Sequence, residues 1–369
     1  MKIVLVTYGS RGDVQPILAL ALELKKAGHE ILLCAPPENE KWVSEYGCPF
    51  HPHGQNLRAF VEKGHEAHSM KATWEMIRIL RVQAKEQFDS LPLIVKGADL
   101  VLASSLTMAA HTAAEIHNIP YGFIAFCPQT IPSSHYPPMY IRNLEMPHWI
   151  NDLAWWVMSQ GDKMNFRVIV NRDRKSLGLK PVKDAWDHVL GDRVLVACDE
   201  TLAPVPDDVK PECRQIGYMH LEQMGKLDQE TLDFIKAGDP PVYVGFGSMP
   251  HKDPASTTRL VLNAAEKAGC RLVLSRGWSG LGREISENRC HIVDNAPHDK
   301  LFPLMAAVVH HGGAGTTATA LRAGAPQVII PHITDQYFWG KSVYKRGVGP
   351  EPVPKRRLAT DKLAEALRQ

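Results

Sequence analysis

The segment from Ala306 to Gly340 contains residue types suited to binding an anion. A run of apolar residues ends in His310 and His311, and Gly-Gly-Ala-Gly-Thr-Thr follows. Glycines let a backbone approach a ligand closely, and free amides at a helix start attract negative charge, worth roughly 0.3–1 kcal/mol each. No Lys follows the glycines, and Ala318 occupies the third glycine position of a dinucleotide fingerprint. The pattern predicts a phosphate-binding turn or an ordinary strand-to-helix turn, and the histidines and hydroxyls favour phosphate.

A second candidate for chemistry is Asp13, in the segment "VTYGSRGDVQP". It belongs to an Arg-Gly-Asp triplet, which serves as an adhesion signal elsewhere, but a three-residue match is weak support. Gly9 and Gly12 allow a tight loop after the strand "KIVLV", and the residues from Val14 to Pro16 are predicted to begin a helix. Asp13 is therefore expected in a loop at the carboxyl edge of a sheet, where ligands of α/β proteins bind.

Two other pairs of histidines have spacings that a metal ion could use. His51 and His53 lie in "HPHG", and His65 and His68 lie in "HEAH". Neither pair forms H-E-x-x-H, and no cluster of carboxylates or cysteines accompanies them. We therefore expect loop or helix-surface residues here, and neither a structural nor a catalytic metal ion.

The elements that would position these residues alternate between strand and helix. The first half contains "KIVLV", a helical pattern closed by Gly28, and the buried strands of "HEILLCAPP", "ADLVLASS" and "PYGFIAF". A Pro-rich, charged stretch, "LAPVPDDVKPECRQIGYMHLE", is predicted to be an interdomain linker. The pattern then restarts with strands in "PPVYVGFGSM", "CRLVLSRG", "CHIVDN", "MAAVVHHGGAG", "PQVIIP" and "GVGPEPVP". This order is typical of parallel sheets with crossover helices.

Two Rossmann-like, doubly wound α/β domains are therefore predicted, at residues 1–210 and 211–369, with a ligand expected in the cleft between them. The alternation loosens between about Cys127 and Lys183, where the segment is rich in Trp, Met and Pro. Trp149, Trp155 and Trp156 could line an apolar acceptor pocket or could belong to helices packed on the domain edge. Both alternatives stay open.

Composition excludes several classes of function. Lys and Arg total 42 against 40 for Asp and Glu, so the net charge of +2 provides no field that would gather nucleic acid. The 7 cysteines show no C-x-x-C spacing and are expected to be reduced, mostly buried thiols. No segment has the pattern of a signal peptide or the length of a transmembrane helix, and a cytoplasmic location is expected.

Three separated segments together resemble one enzyme family. "APHDKLFPLMAAVVHHGGAGTT" with the later "DQYFWG" is similar to the donor signature of nucleotide-sugar glycosyltransferases of the two-domain GT-B fold. The likeness is greatest to sterol 3-beta-glucosyltransferases and to bacterial, vancomycin-type natural-product glycosyltransferases. "GSRGDVQP" and "PPVYVGFGSMP" match the same family in the expected order. The resemblance implies a UDP-dependent hexosyltransferase that needs no cofactor beyond its donor substrate, UDP-glucose or another nucleotide sugar.

The resemblance also implies a donor site. His311, the glycine turn and the following threonines would hold the diphosphate, Asp335 and Gln336 would bind sugar hydroxyls, and the backbone from Asn295 to His298 would meet the base. The implied donor-site residues are Ser248, Asn295, Pro297, His298, His311, Gly313, Ala314, Gly315, Thr316, Thr317, Asp335 and Gln336.

The chain departs from the plant branch of the family at two positions. Asn295 stands where that branch has a stacking Trp, and Thr319 stands where it has a ribose-binding Glu. The resemblance therefore defines recognition of the diphosphate better than recognition of base and ribose. Trp278 of "SRGWSGLG" is a candidate neighbour of the base, and a partly buried surface Trp is the alternative.

The resemblance to antibiotic glycosyltransferases implies that Asp13 is the general base. The plant branch uses a His near this point, and this chain has none between residues 1 and 28. Asp13 would accept the proton of an acceptor hydroxyl while its oxygen attacks the anomeric carbon, in one inverting displacement.

The implied partners are a nucleotide-sugar donor and an apolar acceptor such as a sterol, triterpenoid, polyketide or flavonoid. A sterol acceptor would bring transient membrane contact, and nucleic acid is not an expected partner. Two alternatives remain: a nucleotide-sugar-binding protein with little turnover, and an epimerase of the same fold.

Overall fold

The chain divides into two compact units. Unit 1 comprises Met1–Pro138 and Asn143–Leu221, and unit 2 comprises Met139–Arg142 and Glu222–Gln369. The computed structural model describes residues 1–56, 70–164, 166–247, 249, 251, 253–277, 280–282, 289–294 and 296–369. Five residues named above lie outside the described part of the chain: His65, His68, Ser248, Trp278 and Asn295.

Unit 1 is built on a seven-stranded sheet in the order β3-β2-β1-β4-β5-β6-β7, and its paired strands run parallel. The order changes direction between β1 and β4, which makes the carboxyl ends of these two strands the switch point where ligands of such sheets bind. The strands are β1 (Lys2–Tyr8), β2 (Glu30–Ala35), β3 (Phe50–Pro52), β4 (Leu100–Ser105), β5 (Tyr121–Ala125), β6 (Arg193–Val196) and β7 (Glu212–Gln215).

The helices of unit 1 cover both faces of this sheet. Alternate residues of β1 enter two separate cores: Ile3 and Leu5 pack with Ile17, whereas Val4 and Val6 pack with Leu91. This alternation follows from the two-residue period of a strand and explains the continuous apolar sequence. The helices are α1 (Arg11–Lys26), α2 (Glu40–Glu45), α3 (Met70–Ile94), α4 (Ala110–Ile116), α5 (His148–Met164), α6 (Phe166–Ser176) and α7 (Ala185–Leu190).

Helix α1 begins three residues earlier than predicted. Ser10 is its N-cap, and the Ser10 side chain accepts a hydrogen bond from Gly12 N. In turn, the Asp13 carboxylate accepts a hydrogen bond from Ser10 N at 2.8 Å. This reciprocal capping box fixes the start of the helix ahead of Val14. Asp13 therefore lies in the first helical turn and not in a loop, and Pro16 lies inside the helix.

Unit 2 repeats the same architecture on a smaller sheet. Its five strands follow the order β10-β9-β8-β11-β12, again with parallel pairing. The strands are β8 (Val242–Gly245), β9 (Leu272–Ser275), β10 (Cys290–Val293), β11 (Ala307–His310) and β12 (Gln327–Ile329). The helices are α8 (Gln229–Lys236), α9 (Pro254–Ala268), α10 (His298–Leu301), α11 (Ala314–Arg322), α12 (Gln336–Lys345) and α13 (Thr360–Arg368). Both units thus have the predicted doubly wound α/β form.

Two predictions about the chain's organisation were wrong. The stretch predicted to be a linker contains β7, which pairs with β6, so unit 1 continues to Leu221 and the predicted boundary at residue 210 is too early. The segment "GVGPEPVP" forms no strand: Val348 O and Val353 N each bond to β12, but prolines interrupt the ladder between them.

Two further sequence expectations concern thiols and membrane spans. The 7 cysteines all lie within the described residues and form no disulfide, and Cys34, Cys48, Cys127 and Cys198 are buried. Among the helices of the described residues, none combines the length and the apolar character required to cross a bilayer.

Candidate active site

The start of helix α11 in unit 2 offers backbone donors to an anion. Gly313 is the N-cap and contributes no side-chain hydrogen bond. The first hydrogen bond of the helix runs from Thr317 N to Gly313 O at 3.0 Å. The amides of Ala314, Gly315 and Thr316 lie before it, where a helix supplies no acceptor of its own. These amides lie at the positive end of the helix dipole.

Glycine is required in the turn that leads into α11. Gly312 has φ +90°, and a Cβ there would lie 2.8 Å from Ile329 Cγ2 and 2.9 Å from Gln336 O. A Cβ on Gly313 would lie 2.6 Å from His311 Nε2. The absence of side chains thus lets the turn pack against β12 and against the imidazole of His311.

The two adjacent histidines have different environments. His310 is fully buried; its Nδ1 accepts from Gly312 N at 3.0 Å, and its Nε2 donates to Gln327 Oε1 at 2.8 Å. His311 points to the other side, where its ring approaches Gly247 after β8, and its buried Nδ1 has no hydrogen-bond partner among the described residues. Burial lowers the pKa of His311 to about 4, so the ring is neutral near pH 7. Only His311 has a nitrogen left for a ligand.

The loop after β12 ends at Asp335, and Gln336 is the first residue of α12; the two side chains make different contacts. Asp335 accepts from Thr334 Oγ1 at 3.0 Å through Oδ1 and from Trp339 Nε1 at 3.0 Å through Oδ2. Gln336 is buried, and its Oε1 accepts from the backbone amides of His332 (2.8 Å) and Ile333 (3.0 Å). Gln336 therefore shapes the loop, whereas the two carboxylate oxygens of Asp335 accept from the side chains of Thr334 and Trp339.

The segment implied to meet a nucleobase is described from residue 296 onward. Pro297 is the N-cap of α10. The His298 ring stacks on Phe302 at 4.5 Å between centroids, and its Nε2 is hydrogen-bonded to Tyr243 Oη at 3.0 Å. The side chain of His298 is thus packed into unit 2.

Asp13, in unit 1, lies at the switch point of the sheet. Its Oδ2 accepts from Ser10 N at 2.8 Å and Ser10 Oγ at 3.2 Å, and its Oδ1 accepts from Ser105 Oγ at 2.7 Å. Desolvation raises the pKa of this carboxyl above its usual value, and the bonds from Ser105 and Ser10 oppose that rise. The result is a partly buried carboxylate whose basicity is increased by its surroundings.

Sequence reasoning missed two residues of this site. Ser105 ends β4, has φ +58° and pairs in register with Tyr8 of β1. Burial raises the pKa of the Tyr218 phenol, and the nearby charge of Asp13 adds to the rise. The hydroxyl at the end of "ADLVLASS" was the available signal for Ser105, whereas no local pattern indicated Tyr218.

The three candidate acceptor tryptophans lie on helix α5 in two environments. Trp155 is half-buried and donates from Nε1 to Tyr136 O at 2.7 Å. Trp149 and Trp156 are 66% and 59% exposed, and Leu153 between them is 49% exposed. Positions 149, 153 and 156 share one face of a helix, so these residues form an exposed apolar face.

The two histidines of "HPHG", near β3, differ in burial. His51 is exposed, whereas His53 is buried with its Nδ1 3.4 Å from Ser90 Oγ. Among the described residues, the metal-ligand side chains that converge are His135, Asp207 and Asp208, all of them exposed. Exposed groups of this kind also occur without any ion.

Comparison with known proteins extends the motif resemblance to the whole chain. The family model of the glycosyltransferase family 28 N-terminal domain matches residues 3–134, and that of the erythromycin biosynthesis protein CIII-like C-terminal domain matches residues 279–369. Vancomycin aglycone glucosyltransferase of Amycolatopsis orientalis is 35% identical over 376 residues, covering 100% of this chain and 90% of that protein. A sterol 3-beta-glucosyltransferase of Arabidopsis thaliana is 33% identical, covering 100% of this chain and 62% of that protein.

Solved structures agree on the fold. The glycosyltransferase VinC, crystallised with dTDP, matches with a TM-score of 0.70 at 21% identity and covers 100% of this chain and 90% of its own. The two doubly wound units thus have the fold of the GT-B glycosyltransferases. Within that class, the chain belongs to the family that contains the vancomycin-type glycosyltransferases and the sterol glucosyltransferases.

Proposed function

We propose that this enzyme transfers glucose from UDP-glucose to a hydroxyl group of an apolar acceptor, with inversion at the anomeric carbon. The glycine turn of unit 2 is the observation that carries the proposal. There, the start of α11 has no side-chain cap, and His311 Nδ1 has no hydrogen-bond partner among the described residues. Both therefore offer donors that an anionic diphosphate would satisfy. The two curated relatives described above are named glucosyltransferases, which favours glucose as the sugar.

The diphosphate would bind along the first turn of α11. A neutral His311 that carries its proton on Nδ1 can donate to a phosphate oxygen, and the arriving negative charge would raise the pKa of the ring. As the bond from the sugar to UDP breaks, its electron pair passes to the diphosphate. The helix dipole and His311 would stabilise this developing charge.

The sugar would be held by the loop after β12. A carboxylate offers about four lone-pair sites, and Thr334 and Trp339 occupy two of those on Asp335. Sugar hydroxyls would donate to the oxygens of Asp335 alongside these bonds or in place of them. Gln336 would contribute by holding the loop, since its Oε1 already binds two backbone amides.

Asp13 would be the general base. The acceptor hydroxyl loses its proton to a carboxylate oxygen of Asp13 while its oxygen forms a bond to the anomeric carbon. Because this is one displacement, an α-linked donor gives a β-glycoside. The raised pKa of Asp13 supports the assignment, since a more basic carboxylate takes up a proton more readily.

The acceptor would be a sterol, triterpenoid, polyketide or flavonoid. Trp149, Leu153 and Trp156 form an exposed apolar face, and covering it would stabilise a complex by about 25 cal/mol per Å² of apolar area. Large exposed aromatic residues on one helix face commonly mark a binding surface.

A mass-spectrometric screen tests the proposal. UDP- and dTDP-sugars are incubated with a mixed panel of apolar alcohols, and free nucleotide is measured with and without acceptor. We expect hexosylated products and acceptor-dependent release of UDP. Binding of UDP-glucose without product would support a binding protein, and a changed sugar without any acceptor would support an epimerase.

A further inference from the structure

Two buried histidines join the loop after β8 to the loop after β12. His251 Nε2 lies 3.3 Å from His332 Nε2, and the side chains are 8% and 9% exposed. Because β8 and β12 flank β11 in the parallel sheet, a contact between their carboxyl-end loops crosses above the end of β11. The strand β11 is the one that leads into the glycine turn.

The two rings carry their protons on different nitrogens. His332 Nδ1 lies 2.7 Å from the carbonyl oxygen of Ile330, which can only accept, so the proton of His332 is on Nδ1 and its Nε2 is bare. Two bare nitrogens would repel at 3.3 Å, so His251 carries its proton on Nε2. Its Nδ1 then accepts from Thr257 Oγ1 at 3.1 Å.

This arrangement forms a fully satisfied chain of neutral groups. Thr257 donates to His251, His251 donates to His332, and His332 donates to Ile330. The Thr257 hydroxyl also lies 3.0 Å from Asp253 O, which receives Thr257 N at 3.2 Å. Its single proton is assigned to His251, because His251 Nδ1 is bare once its proton is on Nε2 and can only accept. Burial lowers the pKa of His251 to about 4 and that of His332 to about 3, which agrees with neutral rings near pH 7.

Other contacts reinforce the same connection. The Phe246 ring stacks on His251 at 5.0 Å between centroids and lies 5.4 Å from His332. Gln336 Nε2 lies 3.5 Å from Met249 Sδ, and Gln336 Oε1 holds the amide of His332. Among the described residues, the loop after β8 and the segment around Asp335 are thus connected at several points, and the histidine pair is one of the polar connections.

We propose that His251 and His332 form a hydrogen-bonded strut that fixes the spacing of the two loops, and that His251 is thereby a positioning residue for the nucleotide-sugar donor. The second part rests on the proposed function of unit 2. His251 would not touch the donor. It would act by holding the loop after β8, next to the His311 ring, at a fixed distance from the loop that contains Asp335.

Nitrogen-15 NMR of the histidine rings tests the strut. At neutral pH we expect one ring protonated on Nε2 and the other on Nδ1, with the two sets of signals assigned by their loss in the variants His251→Gln and His332→Gln. The same tautomer in both rings would overturn the strut, whatever the enzyme binds.

Calorimetry with UDP tests the positioning role. His251→Leu removes the donor to His332 and should weaken UDP binding roughly 2- to 10-fold, the range that one net hydrogen bond carries. His251→Gln places an amide N–H near the former Nε2 and should restore most of the affinity. His291→Leu is the matched control, because His291 also bonds a threonine, Thr231 Oγ1 at 2.9 Å, but lies in the edge strand β10.

The outcomes separate the two proposals. Unchanged UDP affinity in His251→Leu, or an equal loss in His291→Leu, would overturn the positioning role. Failure of the wild-type protein to bind either UDP or dTDP would refute the donor assignment, while the NMR tautomers would still decide the strut.

Discussion

Replacement of Ser105 by Ala should move the acidic limb of the activity profile to higher pH. The Ser105 hydroxyl donates to Asp13 Oδ1 at 2.7 Å and stabilises the ionised carboxylate. Without this bond, burial acts with less opposition and the pKa of Asp13 rises further. The general base must be ionised to accept a proton. As the pH is lowered, kcat/KM should therefore begin to fall at a higher pH in the variant than in the wild-type enzyme.

The size of the shift follows from the energy of the lost bond. A hydrogen bond to a charged group is worth about 1.5–3 kcal/mol, and one pKa unit corresponds to about 1.4 kcal/mol. The full effect would be about 1–2 units. Asp13 is only partly buried as a residue, so water can replace some of the lost interaction, and we expect a shift of about 1 unit.

The assay measures kcat/KM against pH for three variants. Ser105→Ala and Ser105→Gly both remove the hydroxyl and should shift the limb equally, although Gly relieves the positive φ of +58° and should be more stable by about 1 kcal/mol. Ser104→Ala is the control, because Ser104 Oγ donates to Thr7 Oγ1 at 2.8 Å and not to Asp13. An unmoved limb in both Ser105 variants would show that Asp13 does not set the profile.

Three other predictions follow from the same geometry. Asp13→Asn keeps a side-chain acceptor for the capping box, so it should lower transfer by ~10²–10⁴ while UDP affinity stays within a few-fold; activity within threefold of wild type would remove Asp13 from the role of base. His311→Ala should weaken the binding of both UDP and UDP-glucose by about 10-fold or more in calorimetry. His310→Ala should mainly lower the melting temperature, because both nitrogens of His310 are hydrogen-bonded within the protein. The reverse order would assign the ligand contact to His310. Trp156→Ala should raise the acceptor KM without a change in melting temperature, and Trp155→Ala should reduce stability; equal melting losses would place both in the core.

Strands and the glycine turn were accessible from the sequence because their signals are local. The apolar run of β1 and the Gly-Gly-Ala-Gly turn before α11 specify backbone conformation within a few residues. The start of α1 was predicted too late, although its signal was also local: Ser10 and Asp13 stand three residues apart, as a capping box requires. The predicted start was placed at Val14 because a proline, here Pro16, is favoured in the first turn of a helix.

Contacts between distant segments could not be derived from local patterns. Ser105 meets Asp13 only because β4 pairs beside β1, and His251 meets His332 only because β8 and β12 lie on either side of β11. The same reason explains β7, whose four residues form a strand by pairing with β6 inside a stretch of linker-like composition. In these places the tertiary fold determines the outcome.

The anomeric configuration of the product tests the central claim most directly. The claim is that one displacement, with Asp13 as base, transfers glucose from UDP to an acceptor hydroxyl. Proton NMR of the glycoside formed from α-linked UDP-glucose reports the configuration through the coupling of the anomeric proton. We predict a β-glycoside that forms in the wild-type enzyme and is nearly absent with Asp13→Asn. An α-glycoside, or a β-glycoside formed equally well by Asp13→Asn, would contradict the mechanism.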